Sequence, residues 1–245
     1  MNVDRPVAAS AILAVGVTLG GLFIGVGFAR GRATDRYVEV KGVAERDVTA
    51  DLALWPLRVV TAGNDLVVAQ ARIGQNISQV YAFLKRHGID TSQVEVQGVD
   101  VTDAFANAYG GERQAQVRYI ITQTIMVRSP KVDVVMAASA KVGELVSAGV
   151  VLSSGRMGYG PSGPTFLFTK LNELKPSMIR EATGNARQAA EQFAADSRSA
   201  LGGIRQANQG VFLILPRDQA QGVTQETQLL KTVRVVSTVQ YYLKG

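Results

Sequence analysis

The run VAASAILAVGVTLGGLFIGVGFA, Val7 to Ala29, holds no charge over about 23 residues and restricts the fold more than any other feature. As a helix it would reach about 35 Å, against a hydrocarbon layer of about 30 Å. It is expected to be a membrane-spanning helix, bracketed by Arg5 before it and by Arg30 and Arg32 after it. Two readings compete: a cleaved signal peptide, with Gly27-Phe28-Ala29 offering small residues at a cleavage site, or an uncleaved signal anchor. The run exceeds the usual signal core of about 7–15 residues, which favours the anchor. Charge leaves the orientation open, because Arg30, Arg32 and Arg36 outnumber Arg5 and would hold the following chain in the cytoplasm. Gly16-x-x-x-Gly20 and Gly21-x-x-x-Gly25 fit a seam for close helix packing, or simply the glycine content of membrane helices.

The chain is thus expected to divide into a short tail (1–6), a transmembrane signal anchor (7–29), a polar linker (30–36) and a folded domain (37–245). Composition narrows the chemistry of that domain. No Cys is present, which removes disulfides, thiolate metal sites, Cys nucleophiles and any thiol switch. His87 is the single His, and a lone His near a helix end reads as a capping residue before a catalytic one. Of the net charge of +6, about +4 is spread over everything after residue 36. With no Lys/Arg block interleaved with aromatics, nucleic acid is not an expected partner.

Periodicity orders the domain. YVEVKGVAE alternates as a strand, and VTADLALWPLRVVTA follows as a deeper one in which Pro56 marks a bulge or an edge. Leu66, Ala69, Ile73, Ile77, Val80 and Leu84 define a helix from about Asp65 to His87, capped by Asn64 or Asp65 and closed by Gly88. In VEVQGVDV the apolar parity changes after Gly98, which predicts a bulge there, and VRYIITQTIMV is its antiparallel partner. Ser129-Pro130 opens a second helix that Gly149 ends. A third carries the stripe Leu171, Leu174, Met178, Ala182, Ala186, Ala189 and Phe193, and Pro176 places its start near Asn172 or later. Arg187 and Glu191 form an i,i+4 pair on its exposed side. The closing strand alternates Val233, Val235, Val239, Tyr241 and Leu243 with polar residues. Strand pairs interleaved with helices predict an α+β fold, largely antiparallel sheets covered by long amphipathic helices and preceded by the transmembrane helix. Helix closures at Gly88-Ile89 and Gly203-Ile204 raise a suspicion of duplication.

Two motifs invite chemistry. Gly158-Tyr159-Gly160-Pro161-Ser162-Gly163 has the letters GxGxxG, but Pro164 and strand-like Thr165-Phe166-Leu167-Phe168 follow where a phosphate site needs a helix N-terminus, so it reads as a turn. Glu45, Asp47 and Asp51 cluster around the first strand turn, where a hydrolytic pair would need a cleft and divergent acidities. No catalytic, cofactor or metal residue is assigned. The alternatives are a hydrolase using these three acids, or a lipid or cell-wall binding module if Tyr159, Phe166 and Phe168 are exposed.

The segments VEVKGVAERDVTADLALWPLRVVTAGNDLVVAQARIGQNISQVYAFLKRHGI, ELVSAGVVL, EATGNARQAAEQFAADSRSALGGI and VRVVSTVQYYL together resemble the SIMPL (DUF541) family of bacterial envelope proteins. The resemblance spreads over nearly all of Tyr37 to Leu243. It implies an exported or anchored α+β domain on the periplasmic side of the inner membrane, with self-association and envelope partners. It also implies a link in some members to oxidative-stress defence, and no agreed enzymatic activity. Many members have Pro-Asp after the first hairpin turn, where this chain has Ala50-Asp51.

Overall fold

The computed structural model describes residues 4–33, 36–106, 116–153 and 163–244. The first element is a helix, α1, Asp4–Ala33. It contains the expected membrane segment, yet among the described residues no helix is long and apolar enough to cross a membrane. The side chains described without a break in α1 run from residue 13 to 27, short of the roughly 20 residues a crossing takes. The helix itself is therefore shown and the span is not.

The chain divides into two compact units, each assembled from separate stretches. Glu45–Pro176 and Phe212–Arg234 make the larger. There β2 (Leu52–Gly63) is flanked by β4 (Tyr119–Ser129) on one side, and by β6 (Thr165–Leu167) and β5 (Val151–Leu152) on the other, all antiparallel to it. Beyond β4 lies β3 (Val94–Asp103), the edge of the sheet. Its register with β4 slips between Val96 and Val99, the bulge expected at Gly98. The slip sets Val96, Val99 and Val101 opposite Ile125, Gln123 and Ile121, on the face where Ile121 and Ile125 enter the core. Pro56 lies in β2 between its pairings with β6 at 52–54 and β5 at 59–60, a stretch with no neighbour on that side among the described residues. A residue without an N–H fits there.

Helix α2 (Leu66–Arg86) covers this sheet. Asp65 caps it, Oδ1 accepting from the N–H groups of Val67 and Val68, and Gly88 closes it at φ +82°. Asn64 instead accepts from the N–H of Arg118. The buried face is Ala69, Ile73, Asn76, Val80, Phe83 and Leu84, packed with Trp55, Leu57, Val59, Ile121 and Ile125, whereas Leu66 is largely exposed. The expected second helix is two short ones, α3 (Val132–Ser139) and α4 (Gly143–Ser147). Gly143, a poor helix former, begins the second of them, and Gly149 reverses the chain at φ +87°. Ser129 holds the N–H of Lys131, while Pro130 stays outside the helix.

The smaller unit comprises Met1–Ala44, Ser177–Val211 and Val235–Gly245. Three elements pass from one unit into the other: β1 (Tyr37–Thr49), α5 (Leu171–Asp196) and β9 (Leu230–Lys244). In the second sheet β9 lies between β1 and β7 (Ala200–Gln209), and β8 (Leu213–Pro216) pairs with its first part. Helix α5 starts at Leu171, one residue ahead of the earliest expected start, so Pro176 sits inside it and removes one i→i−4 bond. Its fully buried stripe is Met178, Ala182, Ala186, Ala190 and Ala194; Ala189 is only partly buried and Phe193 is 58% exposed. Strict spacing by four follows the i±4n row of a helix, the ridge that small residues let settle closely on a neighbour. Gly42 of β1 meets that ridge, and Asn185 Nδ2 donates to the carbonyl of Val43 at 2.8 Å. The helix ends on Arg198, a non-glycine at φ 54°, and Gly203 lies inside β7. The two expected glycine closures are therefore not equivalent.

Candidate functional site

Each of the three turn acids is engaged by a partner. Glu45 pairs with Arg234 at 3.2 Å, and Asp47 accepts from Thr232 Oγ1 at 2.7 Å. Asp51 accepts from both the N–H (2.8 Å) and the Oγ1 (3.1 Å) of Thr169. Glu45 and Asp47 fasten β1 to β9, and Asp51 holds the turn to Thr169, the arrangement of structural carboxylates. Ala50 beside them donates its N–H to the Leu229 carbonyl at 2.8 Å, a bond that a proline there could not make.

His87 is the C-cap residue of α2, its N–H donating to the Phe83 carbonyl. Its ring lies 4.5 Å from that of Phe83, and Nε2 is 3.1 Å from Glu144 Oε2, which Arg86 also reaches at 3.4 Å. The hydrogen bond to His87, with the positive charge of Arg86, holds the Glu144 carboxyl below its ordinary pKa. The three side chains tie the end of α2 to α4. Glu144 escaped the sequence reading because its partners lie 57 and 58 residues away.

Lys231 is fully buried, and its Nζ donates to the carbonyls of Gln225 and Gln228. Burial lowers its pKa, opposed by the charge of Glu226. Both acceptors belong to the loop before β9, so the ammonium clamps that loop. Of the GxGxxG letters, 158–162 lie outside the described residues, as does Tyr159; the strand β6 follows Pro164, as the turn reading requires. Phe166 is buried in the core of the larger unit. Among the described residues no group of His, Asp and Glu could hold a metal ion.

What the structure adds is a cavity of about 630 Å³ in the smaller unit. One wall is α5, through Arg180, Thr183, Gly184, Arg187 and Glu191; the other is Leu201 to Ile204 of β7, with Tyr241 of β9. Arg187 Nε lies 2.9 Å from Glu191 Oε1, and that carboxylate raises the Arg187 pKa. The register of β7 with β9 slips on either side of Ile204, beside this cavity. Gly184 inside a helix and the pair Gly202-Gly203 were the available sequence signals, legible only once α5 and β7 are known to face each other.

Antiparallel sheets lined by long helices, with a cavity in the smaller unit, define an α+β domain. The chain belongs to the SIMPL family, proteins of unknown function (DUF541), which it matches over residues 38–241. Over 97 residues it is 25% identical to the uncharacterized protein YggE of Edwardsiella ictaluri (strain 93-146). That match covers 40% of this chain and 40% of the relative, so the chain spans well under two thirds of the curated protein it matches.

Proposed function

We propose that this is a non-enzymatic envelope protein, held in the inner membrane by α1 as a single-pass anchor, with residues 37–245 in the periplasm acting through protein contacts. The observation that carries the reading is the surface of α1. Leu13, Val17 and Ile24 are each at least 70% exposed along one side of the helix, and Val15, Leu19 and Leu22, each at least 50% exposed, lie on the opposite side, so the helix has no polar face between residues 13 and 27. A helix apolar all round belongs in a core or in lipid. Thr18 Oγ1 donates to the Ala14 carbonyl at 2.7 Å, the internal satisfaction a hydroxyl needs in hydrocarbon.

Self-association is supported by β3. Val96, Val99 and Val101 are each over 40% exposed on the core-facing side of an edge strand, with Phe105 beyond them. A second copy is the occupant proposed for this strip, because an unpaired edge with apolar side chains is suited to pairing. The hydrolase reading lacks support in the separate engagements of Glu45, Asp47 and Asp51.

The test is protease accessibility in intact and osmotically opened cells, with membrane partition followed in parallel. Cleavage that begins on opening the outer membrane, with the protein in the membrane fraction, is expected. Protection until the inner membrane breaks would overturn the location. For self-association, light scattering on the full chain should show a multimer that Val99→Lys with Val101→Lys reduces to monomer; monomer alone in the parent chain at micromolar concentration would remove that part.

A further inference from the structure

We propose that the cavity between α5 and β7 binds an oxyanion group, phosphate or carboxylate, carried on a partly apolar body. Nothing about it depends on the membrane anchor, since its lining falls between Arg180 and Tyr241 and includes no residue of α1.

Charge is the first ground. Arg180 and Arg187 stand two helical turns apart and both line the cavity. Glu191 is matched to Arg187, whereas Arg180 makes no ion pair among the described residues. The lining therefore carries one positive charge in excess. A guanidinium offers paired N–H donors whose spacing matches the oxygens of a carboxylate or phosphate, and the Thr183 hydroxyl on the same wall is a further donor.

Shape is the second. Glycine weakens a helix interior, and a glycine kept there ordinarily has a packing reason. A Cβ added to Gly184 would meet nothing within 4 Å, and the same holds for Gly203 in β7. Gly202 between them does have a packing reason, since its Cβ would fall 2.9 Å from the Tyr242 carbonyl oxygen. Two of the three glycines therefore weaken their elements without serving contact inside the protein, and both border the cavity. Side chains there would project into open space, so their absence keeps that space free. The volume falls within the roughly 300–1,000 Å³ of small-molecule sites.

The third is the rest of the lining. Leu201, Ile204 and Tyr241 supply apolar surface beside the arginines, and Ile204 is 54% exposed. A ligand with its oxyanion at Arg180 and Thr183 would lay an apolar portion against these residues.

Isothermal titration of the full chain with inorganic phosphate, hexyl phosphate, hexanoate and, as the uncharged control, hexanol tests the assignment. At least one anion is expected to bind with Kd below about 1 mM, and hexanol not to. Arg180→Gln should weaken that binding about tenfold or more. Gly184→Leu introduces a good helix former, so it should hold or raise Tm while abolishing binding, which separates a filled cavity from a damaged fold. Hexyl phosphate binding well above inorganic phosphate is expected of an oxyanion on an apolar body, and equal affinities would overturn the apolar part of the assignment. No anion binding more tightly than hexanol, or affinity unchanged in both variants, would overturn it.

Discussion

At Gly42 a hydrogen atom stands where β1 and α5 touch. A Cβ there would run into the Ala182 carbonyl and the Ala186 nitrogen, and would lie 2.9 Å from the Ala186 Cβ. Backbone atoms cannot turn aside as a flexible side chain can, so Gly42→Ala is expected to destabilise the fold by about 3 kcal/mol, measured by urea denaturation. Glu144 is tested by acid. Its folded pKa is depressed, so its contribution is present above the ordinary carboxylate pKa and is lost as pH falls through the lowered one. Glu144→Gln should therefore destabilise at neutral pH and lose its effect at acid pH, which parallel thermal melts would show. Residue roles made within a few positions were legible in the sequence: the Asp65 cap, the reversals at Gly88 and Gly149, and the Arg187–Glu191 pair. Asn76 and Lys231 were not, although both are buried. Asn76 donates to Thr61, 15 positions back, from a helix face its polarity disguises, and Lys231 looks from its sequence like an ordinary exposed charge.

Among elements, α5 shows where periodicity stops being informative. The stripe expected to end in Phe193 ends in Ala194, because the wall it meets accepts methyl groups and excludes a ring. Ala186→Leu should cost about 1–3 kcal/mol by overpacking that contact, whereas Phe193→Ala should change stability by less than about 0.5 kcal/mol. Denaturation midpoints of the two variants check the pair, and a larger loss from Phe193→Ala would restore it to the core. Strands were read more securely than helices. Apolar parity in β3 located its bulge, since one residue's slip turns every later side chain to the other face. The division between α3 and α4 carried no such signal: both halves are apolar and the chain between them simply turns.

For the whole molecule, the anchor yields the sharpest expectation. Gly20→Arg together with Phe23→Arg would add about 5 kcal/mol or more to membrane insertion, and should move the chain from the pelleted membrane to the soluble fraction on ultracentrifugation. Retention of this variant in the membrane would mean that something other than α1 holds it there. The α+β class was legible from alternating periods; the division into two interleaved units was not, because it depends on how far β1, α5 and β9 each continue. That interleaving has a consequence in time. Gln240 donates to Glu39 across 201 positions, and the Leu243 N–H reaches the Arg36 carbonyl. During synthesis β1 must wait, unpaired on its β9 side, until almost all of the described chain has left the ribosome. Contacts of such range close slowly, so the newborn chain passes through a long interval in which a strand with one apolar face is available to any other protein that meets it first.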